Sequence, residues 1–318
     1  MSRFGAADLS VVIPTSGRWD RLGTTLAALA AQTEQGFETI VVVDGGEEDV
    51  PTLRDARVLV QPRAGPGVAR NLGVGASERA LALFINDDMV PRPELVAEHL
   101  RIHRDEPSLE VAALGRVVWH PNVPRDRLHR WLDWSGALFE YRMLEEQQER
   151  DALWSRFYSC NVSLKREFFV ASGGFDPDFV FDYEDLDLGW RLGQRGMRLL
   201  YARQAVVEHL HPYGWPAVER RYRSRAAAER LMMAKHGWFK PWFHGQMQEA
   251  LNQPRASSLW ARAVDWTPAR PARLRRAVER RADRHYRQRL APVFLEAWSA
   301  ASSQRSGQQA TAAPRPGA

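Results

Sequence analysis

Residues Leu9 to Asp44, LSVVIPTSGRWDRLGTTLAALAAQTEQGFETIVVVD, decide the architecture. Leu9-Ser-Val-Val-Ile-Pro14 is a short β-branched run closed by proline and followed by Thr15-Ser-Gly-Arg18, the pattern of a buried strand that ends in a loop. Leu22, Leu26 and Leu29 then recur at helical spacing between Asp20 and Gln32. Thr39-Ile-Val-Val-Val43 is a second buried strand, ending at Asp44-Gly-Gly. Strand, helix, strand in that order predicts an α/β fold on a mostly parallel central sheet flanked by helices.

Working outward, Arg57 to Val60 reads as a third strand, and Gly65-Pro-Gly-Val-Ala-Arg-Asn-Leu-Gly73 as a turn that becomes a helix. Leu81 to Ile85 is a strand that stops at Asn86-Asp87-Asp88, and proline near its start places a helix from Pro93 to about Arg104. Further strands are expected at Val111 to Trp119 and Asn161 to Leu164, and as two short runs, Arg198 to Tyr201 and Ala205 to Val207. A helix from about Tyr183 to Gln194 ends at Gly196. Residues 125–154 read as mostly helical without a definite register. Residues 215–300 read as helices broken at Pro241, Pro254 and Pro268 to Pro271.

The chain has 318 residues, 44% hydrophobic and 26% charged, which excludes a disordered or collagen-like polypeptide. No stretch approaches the roughly 20 apolar residues of a membrane-spanning helix. The single cysteine, Cys160, excludes an internal disulfide and a cysteine-built zinc site. With no apolar leader at the start, these features predict a cytoplasmic protein, soluble or peripherally bound at the inner face of the membrane.

The formal charge of +5 is unevenly distributed. Residues 1–214 carry 24 Lys and Arg against 32 Asp and Glu, a net −8, whereas residues 215–318 carry 20 against 7, a net +13. Six of the 12 tryptophans, Trp215, Trp238, Trp242, Trp260, Trp266 and Trp298, fall in that basic third. The predicted division is a catalytic-type α/β domain over 1–214, a basic Trp/Arg-rich helical extension over 215–300, and a disordered tail over 301–318. Arginine with interfacial tryptophan suits an anionic lipid surface. An ordinary helical unit with tryptophan inside and arginine outside explains the composition equally well.

Three acidic positions fall at the carboxyl ends of strands, where an α/β sheet builds its ligand crevice. Asp44 can accept hydrogen bonds from a ribose or base, and it can equally cap a turn. Asn86-Asp87-Asp88 is a hard-oxygen site suited to Mg²⁺ or Mn²⁺ with a substrate phosphate. Glu184-Asp185 opens a helix inside a cluster of six acids over residues 176–187, beside Phe175, Phe179, Phe181 and Trp190. A carboxylate against such apolar walls suits general-base work. His209 and His211, at a strand end, can add a nitrogen ligand or bind phosphate.

In order, these pieces resemble the family 2 inverting glycosyltransferases of GT-A fold. They are a strand ending in Pro-Thr, a strand ending in Asp, G-P-G-V-A-R-N, F-I-N-D-D-M-V-P, N-V-S-L-K-R, G-G-F-D, E-D-L-D-L-G-W-R-L and a later histidine. The resemblance covers about residues 9–212. It implies a nucleotide-diphosphate-sugar donor bound by Pro14, Thr15, Asp44, Arg70, Asn86 and Asp87, with Arg70 near the diphosphate. It implies a divalent cation, Mn²⁺ or Mg²⁺, on Asp88 and His209, with His211 as the second choice, and Asn86 standing where the family's D-x-D motif has its first aspartate. It assigns Asp185 as the catalytic base and Glu184 to the acceptor, a polysaccharide precursor or lipid-linked glycan. A nucleotidyltransferase on a similar scaffold leaves the Glu184-Asp185 helix unexplained, and a non-catalytic nucleotide-sugar-binding protein is favoured only by Asn86. Nucleic acid is disfavoured by the acidic cluster.

Overall fold

The computed structural model describes residues 4–46, 50–147, 150–266 and 271–311. The chain divides into two compact units, one made of Met1–Pro124 with Gly136–Pro212 and the other of Arg125–Ser135 with Tyr213–Ala318.

The first unit is built on one nine-stranded sheet. Strands β1 (Leu9–Thr15), β2 (Glu38–Asp44), β3 (Arg57–Gln61) and β4 (Leu81–Ile85) form its parallel half in the order β3-β2-β1-β4. Helices α1 (Trp19–Ala30) and α2 (Pro66–Ala76) connect within this half. Every residue of β1 and β4 is buried, which is why both read as unbroken apolar runs rather than alternating ones. Short β5 (Met89–Pro91) and α3 (Leu95–Asp105) lead to β6 (Val111–Trp119). Residues 4–124 and 136–212 also hold α5 (Tyr141–Gln147), β7 (Asp151–Ala152), β8 (Asn161–Lys165), α6 (Arg166–Ala171), α7 (Glu184–Gln194) and β9 (Arg198–His209). Strand β8 runs antiparallel to both β4 and β6, so the sheet is mixed beyond β4. The two short runs expected at 198–207 are one strand, β9, which pairs with β6 past a register shift between Gly115 and Arg116. That irregularity interrupts the hydrophobic pattern at Arg203-Gln204 without ending the strand.

Pro14 sits inside this sheet. The β1 ladder to β2 continues to Thr15, but its ladder to β4 stops at Val12. A residue with no N–H cannot extend pairing on that side, so the sheet parts there at its carboxyl edge.

The second unit is helical, with α4 (Arg127–Trp134), α8 (Trp215–Lys235), α9 (Trp242–Asn252), α10 (Leu259–Ala263) and α11 (Ala272–Thr311). Its interior contains Trp131, Tyr222, Met232, Met247, Leu290 and Phe294. The fully buried Trp131 ring lies 4.8 Å from Tyr286 and donates through Nε1 to Asp283 at 3.0 Å. Helix α4 thus joins the second unit although it precedes β8 in sequence. Helix α11 continues to Thr311, past the start of the tail expected at 301, and residues 312–318 lie outside the described residues. Among the described residues no helix is long and apolar enough to cross a membrane.

Candidate active site

The ends of β1, β2 and β4 and the start of β8 meet along one edge, where Ile85 pairs with Asn161. Beyond β4, Asp87 is fully buried and faces inward. It accepts from Thr15 Oγ1 at 2.7 Å and from Arg18 Nε at 3.0 Å, and its other oxygen takes Arg18 Nη2. Burial, then the neighbouring Asp88 charge, push its carboxyl above the usual range against the pull of Arg18 and Thr15.

Asp88 is held differently. Its backbone carbonyl accepts from Leu210 N at 2.8 Å, which ties the acidic loop to the end of β9. Its Oδ2 accepts from Arg18 Nη1 at 3.0 Å and lies 3.7 Å from His209 Nε2. Burial alone would raise this carboxyl, but hydrogen bonding and charge from His209, with Arg18 and His211, outweigh it and bring it down to about 2. His209 is itself buried and stacked on Trp119, with ring centroids 5.2 Å apart. His211 lies farther along and contacts Arg21 through Nδ1. Burial, then Arg21, lower its imidazole to about 4, so it is neutral at physiological pH.

Arg70, on α2, is 2% exposed. One nitrogen donates to Asn86 Oδ1 at 2.7 Å, and the guanidinium lies 5.5 Å from the Phe175 ring centre. Its Nε and Nη1 make no hydrogen bond among the described residues. The next residue, Asn71, makes a reciprocal pair with Phe175, donating to its carbonyl and accepting from its N–H, both at 2.8 Å. The R-N of the G-P-G-V-A-R-N motif thus splits between a buried cation with two nitrogens unbonded among the described residues and an amide that clamps the G-G-F-D turn.

Glu184 and Asp185 begin α7. The two residues before Glu184, Asp182 (φ 63°) and Tyr183 (φ 70°), both lie in the left-handed region, a costly conformation outside glycine that turns the chain sharply into the helix. Gly65 (φ 96°) makes room for this loop, because a Cβ there would stand 2.4 Å from the Val180 carbonyl oxygen. Gly189 likewise lets α7 lie against residue 154, where a Cβ would be 2.4 Å from the Trp154 carbonyl oxygen. Asp187 is buried and paired with Arg191 at 2.7 Å, and Arg191 also donates to the carbonyls of Ser172 and Gly174. This third acid of E-D-L-D is therefore a brace.

Asp185 is half-buried and accepts from Ser159 N at 3.0 Å. Glu184 is buried, with one carboxyl oxygen lacking a hydrogen bond among the described residues. Burial first, then the Asp185 and Asp182 charges, push its carboxyl well up against the opposing pull of Arg70. The two neighbours therefore have distinct environments. Cys160, buried beneath them, has a thiol pushed far up by burial first and then by Asp185, against Arg70, with Asp88 raising it further.

Asp44 stands apart from this cluster. Its carboxylate accepts from Gln61 Nε2 at 2.8 Å, Ala64 N at 2.7 Å and Gly65 N at 3.0 Å, so it fastens the turn that opens α2. Pro14 shapes the strand edge beside it. Arg18, which contacts Asp87 and Asp88, and Ser159, which contacts Asp185, are positions that motif reading missed. Arg18 had a signal in lying three residues past the strand end, whereas Ser159 acts through backbone and had none.

Among the described residues no three His, Cys, Asp or Glu side chains cluster as a metal cage. The arrangement still fits a divalent cation shared with a phosphate. Asp88 Oδ1 is buried with no hydrogen bond among the described residues, and His209 is beside it. A carboxylate and an imidazole suit Mn²⁺ or Mg²⁺ when a diphosphate supplies further oxygens.

A mannosyltransferase from Pyrobaculum calidifontis, solved with GDP-Man and Mn²⁺, superposes with a TM-score of 0.51 at 15% identity, over 97% of this chain and 81% of that one. The fold is accordingly GT-A. Validoxylamine A glucosyltransferase of Streptomyces hygroscopicus subsp. jinggangensis is 29% identical over 227 residues, 62% of this chain and 54% of its own. Pre-mycofactocin glycosyltransferase of Mycobacterium tuberculosis is 31% identical over 216 residues, 64% of this chain and 43% of its own. The chain spans about half the length of such curated relatives. The family model described as glycosyltransferase like family 2 matches residues 6–227, and the chain belongs to that family.

Proposed function

We propose that the protein transfers a sugar from a nucleotide-diphosphate sugar to an acceptor hydroxyl in a single inverting displacement. The observation that carries this reading is Arg70, a buried guanidinium on α2 with two nitrogens unbonded among the described residues and a third bonded to Asn86, two residues before Asp88. A buried cation with spare donors calls for an anion, and a diphosphate supplies one.

In this mechanism the donor lies across the ends of β1, β2 and β4. Thr15 and Asn86 line its site, Pro14 opens the sheet for it, and Asp44 and Asp87 hold the surrounding loops. Arg70 donates to the diphosphate, where negative charge grows as the glycosidic bond breaks. Asp88 and His209 would hold a divalent cation, which when bound would supply positive charge to neutralise that leaving group. Asp185, oriented by Ser159 N, takes the proton of the acceptor hydroxyl as its oxygen attacks the anomeric carbon from the opposite face. Glu184, with its carboxyl raised by burial, donates a hydrogen bond to the acceptor as a neutral acid. The acceptor is a polysaccharide precursor or lipid-linked glycan, and residues 215–300 bring the enzyme to the inner face of the membrane.

Thermal melts with a panel of nucleoside diphosphates, each with and without Mn²⁺, test the donor half. A ligand at about 100 times its Kd stabilises by about 2.7 kcal/mol. One nucleotide giving a metal-dependent rise supports the reading and names the base. No rise with any nucleotide, or a product of retained anomeric configuration by NMR, overturns it.

A further inference from the structure

Five of the six tryptophans of the basic third fall into two sets, and the sixth, Trp266, stands apart from both at 80% exposure. Trp215, Trp260 and Trp298 are each covered by a guanidinium of the second unit, Arg289 at 3.8 Å, Arg281 at 4.9 Å and Arg230 at 5.0 Å from the ring centres. These are ordinary cation–π partners within a helical unit. Trp238 and Trp242 are 42% and 51% exposed, and both lie at the corner where α8 turns into α9. Met233 at 41% exposure and the exposed Lys235 and Lys240 share this ten-residue corner. No Asp or Glu occurs from Arg230 through Gln248.

The exposure is built in. Glu229, fully buried on α8, accepts from Phe243 N at 2.8 Å and His244 N at 2.9 Å and so fixes the start of α9. Arg225 lies 4.3 Å from the Phe243 ring centre, which also packs edge-on to buried Tyr222. Of two adjacent aromatic residues, Phe243 is therefore tied inward and Trp242 is directed out. Across the corner, Phe239 N bonds to the His236 carbonyl at 3.0 Å, closing a turn that carries Trp238. The aromatic side chains are thus presented on ordered backbone, with the ordering cost already met in folding.

We propose that this corner, Met233 to Trp242, is a wedge that seats the protein on an anionic phospholipid surface. Tryptophan places its ring at the headgroup level with its N–H toward water, and lysine beside it meets the negative lipid potential. The chemistry favours lipid over nucleic acid, since non-specific nucleic-acid sites are basic grooves that track a backbone, whereas this is a helix corner with two lysines and an aliphatic Met233. The inference deepens the peripheral-membrane reading of residues 215–300 and rests on it.

The test uses the full chain with vesicles of phosphatidylcholine alone and of equimolar phosphatidylcholine and phosphatidylglycerol. Binding to the anionic vesicles is expected, with tryptophan fluorescence quenched by bromine-labelled acyl chains. Trp238→Ser with Trp242→Ser should weaken binding about tenfold or more and abolish the quenching, with the circular dichroism melt unchanged. Lys235→Gln with Lys240→Gln should weaken it about 25-fold, about fivefold for each lysine near the surface. If the unaltered chain binds anionic vesicles and both double variants bind equally well, the corner is overturned while the membrane reading stands. If the unaltered chain binds neither vesicle, both fall. If duplex DNA displaces the vesicles and the tryptophan variant loses DNA binding, the surface is a nucleic-acid site and the proposal is overturned.

Discussion

Replacing Glu184 by Gln removes an ionisable group from a place where ionisation is unfavourable. Glu184 is 9% exposed, and burial with the Asp185 and Asp182 charges raises its carboxyl from 4.5 to about 8. A carboxyl raised on folding binds more protons in the native than in the unfolded state. Stability therefore falls as pH rises from about 4.5 toward 8, the reverse of a salt-bridged acid. A tenfold change in acidity between the folded and unfolded chain is worth about 1.36 kcal/mol, so at pH 7 the ionisable side chain costs up to about 3 kcal/mol relative to an isosteric neutral amide. For a chain of 318 residues that is roughly 4 to 5 °C in Tm. The assay is a series of thermal melts of the wild type and Glu184→Gln at constant ionic strength from pH 4.5 to pH 8. The two should coincide at the acid end and diverge upward, the glutamine protein melting higher at neutral pH. Parallel curves, or a glutamine protein that melts lower at pH 8, would refute the claim that Glu184 is held as a neutral acid.

Asp185→Asn should lower kcat by about 10²- to 10⁴-fold with nucleotide Kd unchanged, since it removes a proton acceptor and no donor contact; isothermal titration beside initial rates separates the two. Arg70→Gln should weaken nucleoside diphosphate binding by about 10-fold or more, as expected for loss of a charge-assisted hydrogen bond in a buried site, while nucleoside affinity stays the same. Arg191→Ala removes the guanidinium paired with buried Asp187 and should cost about 3 to 5 kcal/mol in urea unfolding. Gly189→Ala forces a methyl toward the Trp154 carbonyl and should destabilise by about 1 to 3 kcal/mol, with the start of α7 displaced and transfer slowed.

Much of this is legible in the chain because its parallel strands are buried on both faces. Leu9 to Thr15 and Leu81 to Ile85 announce themselves as apolar runs, and the acids that follow them mark the ligand edge. What is illegible lies where local sequence and distant partners compete. Arg203-Gln204 looks like a break but is spanned by β9 through its pairing with β6. Asp44 reads as a ligand to ribose or as the cap of a turn, and the turn that its oxygens fasten, through Gln61, Ala64 and Gly65, lies 17 to 21 residues ahead. The resemblance puts His209 ahead of His211, but its physical basis needs three dimensions, since strand pairing puts His209 beside Asp88 and leaves His211 against Arg21. Helix α4 carries no mark in its own residues of the unit it joins; Trp131 acquires its partners 152 and 155 residues later, in Asp283 and Tyr286.

The position of β8 bears on how the protein is made. One edge of β4 pairs with β1 as soon as both exist, but its other edge waits for β8, whose last residue follows Ile85 by 80 positions. At about 5 to 20 residues per second, ribosomal synthesis leaves that fully apolar strand edge open for roughly 4 to 16 seconds. During this interval the nascent chain presents the unpaired edge that recruits other strands, with Arg79 before it and Asp87 after it as the flanking charges. Chains arrested before residue 161 should therefore be captured by chaperones, and chains arrested after the whole of β8 has left the ribosome should be released.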